Sequence, residues 1–185
     1  MKAIVYTSQT GFTERYAQLL SEKTGVPAYP LKKAGKYLRK RDDIFYMGWI
    51  MAGRTSGLDS AAQRYTVRGV AMVGMSPEGN GGLWDIARKN RGLADGGAPV
   101  FYLRGGYAPD KLKGLHKLLM GPMAKSVVQE IREKGDKATE GEREMMDLFL
   151  NGGDRFDASQ LDPIVQWFES GAHDGKLVIL PNATL

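Results

Sequence analysis

Cysteine is absent from this 185-residue chain. Its absence removes disulfides, thiolate zinc sites, iron–sulfur clusters and cysteine nucleophiles at one stroke. Long apolar runs are missing too: no stretch reaches the roughly 18 residues that a membrane span needs. The opening segment, Met1 to Tyr6, turns polar after six positions, too short for the apolar region of a signal peptide. A soluble, cytoplasmic protein is the expectation. Histidine is scarce as well. His116 falls in a helical stretch and His173 near the end, and no Gly-x-Ser-x-Gly elbow accompanies them, so serine hydrolysis finds no support. No cluster of metal-ligating residue types stands out.

The length fits one α/β domain with a short extension, here residues 1–170 followed by a tail at 171–185. A chain of this size buries about two-thirds of its unfolded surface and needs no covalent staples. The net charge is +5, with a pI near 9.3. Six cations fall within ten residues at Lys32, Lys33, Lys36, Arg39, Lys40 and Arg41. A looser group comprises Arg104, Lys111, Lys113, Lys117 and Lys125. Either these are solvated helix faces, or they steer an acidic partner, an anionic membrane surface or nucleic acid. One interleaved aromatic, Tyr37, is too little for a base-stacking surface, so nucleic acid is not expected.

Short apolar runs alternate with helical stretches, the signature of βαβ units and a parallel sheet. Strands are predicted at Ala3–Tyr6, Ile44–Met47 (ending at Gly48), Gly69–Gly74 and Pro99–Leu103, with a weaker edge strand at Val26–Tyr29. Helices are predicted over 13–23, 57–66, 83–93, 110–134 with a break near Gly121-Pro122, 140–150 and 159–170. Residues 176–180 are either an extra strand or an irregular end.

Ligands of open parallel sheets bind beyond the carboxyl ends of the strands. The first such loop, Thr7-Ser8-Gln9-Thr10-Gly11-Phe12-Thr13, runs straight into a helix. Its hydroxyls, its glycine and the free amides of the helix N-terminus converge as an anion cradle. The P-loop lysine and the three-glycine dinucleotide fingerprint are both lacking. The competing view is an ordinary strand-to-helix turn with its usual glycine and threonine.

Ser8, Thr10, Gly11 and Thr13, placed after an N-terminal strand, resemble the phosphate loop of flavodoxins. Phe101 to Tyr107, with Lys111-Leu112 and Leu118-Leu119-Met120, is similar to the flavodoxin-like subfamily that includes the menaquinone-dependent protoporphyrinogen oxidases. The likeness spans about residues 1–170. It implies a three-layer α/β sandwich whose five-stranded parallel sheet has the order 2-1-3-4-5. It also implies bound FMN, with Ser8, Gln9, Thr10, Gly11, Phe12 and Thr13 around the phosphate. Gly48, Trp49, Ile50, Met51, Ala52 and Gly53 then form the loop that flanks the flavin, unless Trp49 and Met51 belong to the core. Met75, Ser76, Pro77, Glu78, Gly79 and Asn80 meet the other side of the ring. Glu78 either tunes the potential or is a solvated carboxylate. Trp84 either caps the ring or packs at a helix start. Arg104, Gly105, Gly106 and Tyr107 line the open face, with Arg104 facing reduced flavin or an anionic substrate, or simply solvent.

Other users of this architecture fit poorly. A response regulator needs acids where Thr7-Ser8 and Gly48-Trp49 stand, and a low-molecular-weight phosphatase needs a cysteine in the first loop. The implied function is an FMN-dependent oxidoreductase acting on a quinone, a porphyrinogen or another small substrate, and the basic groups leave peripheral contact with a membrane surface open. The alternative is a single-electron carrier docking on an acidic redox protein, against which the basic pI counts. A binding module without FMN is the third reading.

Overall fold

The computed structural model describes residues 1–77, 81–91 and 98–171. The apolar run at the start forms β1 (Ala3–Thr7), and α1 (Phe12–Thr24) follows, closed by Gly25 in the left-handed conformation. Next come β2 (Ala28–Pro30), the one-turn α2 (Leu31–Ala34), β3 (Asp43–Met51), β4 (Arg54–Thr55) and α3 (Leu58–Arg64). The chain continues through β5 (Thr66–Gly74), α4 (Gly81–Arg91) and β6 (Val100–Arg104). Beyond β6 lie β7 (Gly106–Tyr107), α5 (Gly114–Lys134), α6 (Glu140–Asn151), β8 (Gly153–Asp154) and α7 (Asp162–Ser170).

The α/β class and the parallel sheet flanked by helices are as expected. The sheet path is β2-β1-β3-β5-β6, with β4 hydrogen-bonded to β3 off that path, so the main sheet has six strands rather than five. The extra strand arises because β3 does not stop at Gly48. It runs on to Met51 and turns back, pairing Ile50 with Thr55 and Met51 with Arg54 in antiparallel fashion. Ala52 and Gly53 make the turn with φ of 49° and 72°, the left-handed pair of a two-residue hairpin. Alanine is a poor signal for such a turn, since the conformation costs it about 1–2 kcal/mol.

Period-two alternation sorts the strands' side chains between two helical layers. Ala3, Val5, Ile44, Tyr46, Val70, Met72, Val100 and Tyr102 pack with Ala34, Leu58, Ala61, Leu83 and Ala87 of α2, α3 and α4. Their neighbours Ile4, Tyr6, Phe45, Met47, Ala71, Val73, Phe101 and Leu103 pack with Tyr16, Ala17 and Leu20 of α1 and Ile164 of α7. Aromatic contacts tie α7 to the sheet: Trp167 and Phe168 lie 5.5 and 5.3 Å, centroid to centroid, from Phe45.

Two helical expectations change. The break near Gly121-Pro122 does not occur, and α5 runs unbroken through Pro122. Proline leaves the Leu118 carbonyl without its helical donor, but both residues are exposed, so water can replace it. The stretch 159–170 divides into a 3-10 turn at Ala158–Leu161 and α7. The tail, including residues 176–180, lies outside the described residues.

Leu20 has no exposed surface and sits between α1 and the sheet. Leu20→Ala should lower the unfolding free energy by about 2–5 kcal/mol, from lost transfer energy and the residual cavity. Gln18→Ala, on the exposed side of the same helix, should stay within about 0.5 kcal/mol. Denaturant titration of both variants checks the assignment of faces.

Candidate functional site

Parallel pairing sets Thr7 beside Gly48, Gly48 beside Met72, and Gly74 beside Arg104, so the four main strands end along one edge. The loops leaving that edge surround a cavity of about 310 Å³. Its lining draws on all four. Ser8, Gln9, Thr10, Phe12 and Thr13 come from the first, and Trp49, Ile50, Met51 and Ala52 from the β3–β4 hairpin. Met75 and Ser76 come from the third, and Gly105, Gly106 and Tyr107 from the fourth. Gly11, Gly48, Gly53, Pro77 and Arg104 belong to the same loops but do not line it. Glu78, Gly79 and Asn80 lie outside the described residues, as does the side chain of Trp84.

At one end, the first loop becomes α1 through Gly11, whose φ of 100° suits glycine. The Gly11 amide donates to Ser8 Oγ at 3.2 Å, folding the loop on itself. No side-chain hydrogen bond caps α1, whose first turn carries the acid Glu14, and its free first-turn amides carry the positive end of the helix dipole. Ser8, Thr10 and Thr13 add hydroxyls beside them. That end of the cavity thus presents hydroxyls and helix amides and, in the described lining, no cationic side chain.

Tyrosine hydroxyls hold the loops. Tyr46 donates to the Ser56 carbonyl at 2.6 Å and, its proton so engaged, accepts from Thr7 Oγ1 at 2.7 Å. Tyr102 donates to the Ser76 carbonyl at 2.7 Å. Tyr16 donates to the Arg104 carbonyl at 2.7 Å and accepts the Asp157 amide at 3.0 Å. Burial pushes the Tyr16 hydroxyl up to about 12 and raises that of Tyr46 further. Both therefore remain proton donors across the neutral range. The fourth loop is fixed along its backbone as well: the Arg104 amide donates to Gln160 Oε1 at 2.6 Å, and the Gly105 amide to the Gly74 carbonyl at 2.8 Å.

The remaining wall comes from residues 108–152, which leave the core at β7 and return at β8. These two strands pair antiparallel, Gly106 with Asp154 and Tyr107 with Gly153. A Cβ at Gly106 would collide with the Gly153 carbonyl and lie 2.7 Å from the Phe12 ring, so the crossing requires glycine. Leu112, Met120, Met123, Val127, Met145 and Phe149 from this segment face the cavity. Sequence reasoning missed them, although Met120, Met123 and Val127 at i, i+3, i+7 form a helical stripe. Five of the nine methionines, Met51, Met75, Met120, Met123 and Met145, thus line one cavity. Thioethers of this kind adapt to flat or irregular apolar ligands. His116 of α5 is half-buried and meets Trp49 edge-on, with ring centroids 5.3 Å apart.

Arg104 turns to this segment instead of the cavity. Its Nη2 lies 2.7 Å from Glu144 Oε1 on α6, and Arg155 Nε reaches the same oxygen at 3.0 Å. At 2.7 Å the Arg104–Glu144 pair is a close charge-assisted contact, although neither Nε nor Nη2 of Arg104 meets a well-aligned acceptor among the described residues. Among the described lining residues there is no carboxylate, imidazole, amine or guanidinium. Tyr107 is the one titratable group in the described lining, and burial raises its pKa. Among the described residues, no three His, Cys, Asp or Glu side chains gather as a metal site. None of the helices described is long and apolar enough to cross a membrane.

No family model matches the chain, and no curated protein matches it.

The Arg104 guanidinium, followed by that of Arg155, holds the Glu144 carboxyl below the usual carboxylate range. A carboxyl depressed in the folded state stabilises above its unfolded pKa, and the contribution fades as pH falls through the folded one. Glu144→Gln should therefore melt below the parent protein near pH 7, and the gap should narrow below about pH 4. A gap that stays constant with pH would show that the charge of Glu144 contributes nothing.

Proposed function

We propose that this chain is a flavodoxin-like flavoprotein that binds FMN non-covalently and exchanges electrons between the flavin and a small organic substrate such as a quinone or porphyrinogen. One observation carries the reading: a dipole-built anion cradle opens directly into an apolar cavity whose described lining holds no charged side chain. Such a site has a place for a phosphate and a place for a flat apolar ring. Its described lining has no acid, base or amine with which to do chemistry of its own, which favours a bound group as the reactive part.

The residues fit FMN in kind. Ser8, Thr10 and Thr13, with the first amides of α1, would hold the phosphate without a cation. Trp49, Ile50 and Met51 offer one face for the ring, while Met75 and Ser76 offer backbone and thioether contacts across from them. Tyr107 and Phe149, whose centroids are 5.3 Å apart, supply an aromatic wall on the substrate side. Bound FMN would contribute one- and two-electron chemistry from its ring. The chain's own part is to grip the phosphate, stack the ring, exclude water with its methionines and leave Arg104 paired to Glu144. A cavity of about 310 Å³ lies within the range of small-ligand sites.

The alternative, an electron carrier meeting an acidic redox protein, favours a flavin edge open at the surface. The wall formed by α5 and α6 supports substrate enclosure instead.

Visible absorption of the purified protein before and after FMN addition tests the cofactor. Flavin bands with quenched fluorescence are expected, and a colourless protein that ignores FMN would overturn the proposal. A hydroxyl bond to a charged phosphate is worth about 1.5–3 kcal/mol, so Thr10→Val should weaken FMN binding roughly tenfold or more. Unchanged affinity would remove the phosphate from this loop. Turnover of a quinone or porphyrinogen separates the enzyme from the carrier.

A further inference from the structure

Helix α5 changes character along its length. Its C-terminal half buries Ala124, Val128 and Ile131. Its first turns do the reverse: Leu115, Leu118 and Leu119 are 65%, 71% and 48% exposed. Their i, i+3, i+4 spacing gathers them on one side of the helix. Single exposed apolar side chains are ordinary, but these three stand together, with exposed Met123 and Pro122 on the following turn.

Between Asp110 and Glu130 the charge along the chain has one sign. From residue 111 to residue 129 the chain carries Lys111, Lys113, Lys117, Lys125 and His116, with no aspartate or glutamate. All four lysines are exposed.

We propose that the N-terminal half of α5 is a docking surface for an anionic lipid bilayer, lying in the interface with its leucines inserted and its lysines at the headgroups. An apolar stripe flanked by lysines is the pattern of helices that lie on membranes. The long lysine stems let each ammonium reach a lipid phosphate while the leucines sink deeper. A second copy of the chain fits worse, because a symmetric contact would set the same four lysines against each other. The surface is peripheral, as no described helix can span.

The placement has a consequence for the cavity. Met120 and Met123 line it from the same turns of α5, and Met123 is also exposed. Docking therefore brings one apolar wall of the cavity to the bilayer, where a lipid-soluble molecule could enter without crossing water. The docking inference stands independently of FMN, since none of the leucines or lysines belongs to the anion cradle.

Co-sedimentation of the full chain with vesicles tests it, using phosphatidylcholine alone and phosphatidylcholine mixed with phosphatidylglycerol. Binding is expected on the mixed vesicles, falling as salt rises and much weaker on phosphatidylcholine alone. Leu118→Ser should lower partitioning roughly tenfold or more, since an inserted side chain is lost. Lys113→Glu/Lys117→Glu should weaken it comparably, with melting temperatures near that of the parent because every altered side chain is exposed. Three results would each overturn the proposal. One is no binding to the mixed vesicles. Another is an equal loss from Lys36→Glu/Lys40→Glu in the other basic run, which means diffuse attraction. The third is a dimer by light scattering that Leu118→Ser converts to monomer, which assigns the face to a second copy.

Discussion

Buried tyrosine hydroxyls at the carboxyl edge of the sheet are the constraint on which the site depends. Tyr46 and Tyr102 reach from strands and Tyr16 from α1, and each donates to a backbone carbonyl at or just beyond a strand's end. Tyr46 joins the hairpin exit at Ser56 to Thr7 of the first strand, Tyr102 holds Ser76, and Tyr16 holds Arg104. Tyr6 adds a bond to Glu14 on the first turn of α1 at 2.8 Å. A loop carbonyl facing the core must find a donor or bear the cost of desolvation, about 1–3 kcal/mol. Tyrosine meets that need with an aromatic body that belongs in the core. The rigidity of the sheet is in this way handed to loops that would otherwise be free to choose their shape.

The segment between β7 and β8 obeys a different logic. It contributes few buried side chains of its own, and its attachment is a two-residue strand pair at the base and an ion cluster above. Glu144 of α6 meets guanidinia from β6 and from the return strand's far side. The α6 start is fixed locally by a capping box, with Thr139 and Glu142 bonding each other's backbone amides at 3.2 and 2.9 Å. Helices so anchored are stiff within themselves and tethered at their ends. Such an arrangement suits a wall that admits a ligand, since the contacts holding it are fewer than those within the sheet.

Much of this was readable beforehand. The strands announce themselves as apolar runs bounded by turn residues, and the rule that ligands gather beyond strand ends singled out loops that do converge on one cavity. What was hidden has physical causes. The β3–β4 hairpin escapes because Ala52 in a left-handed conformation is tolerated by tertiary context, not encouraged by its chemistry. Arg104 reads as a free cation because its partner, Glu144, is brought to it only by the return of α6. The cavity's far wall escapes because Met120, Met123 and Val127 form a stripe that any core helix could show. Period alone says that a face is buried, not what it is buried against.

The contrast between the two ends of the cavity is the deeper point. A phosphate needs compensation for its charge, and helix amides provide it without a counter-ion whose own desolvation would have to be met. An apolar ring needs only surface, and methionine provides it without fixing a single shape. The described lining carries no cation, so the compensation it offers a negative charge lies at the start of α1. Inside the cavity the described walls are uncharged and discriminate by shape and polarity, whereas the outer side of α5, with exposed Lys117 and Lys125, still discriminates by sign.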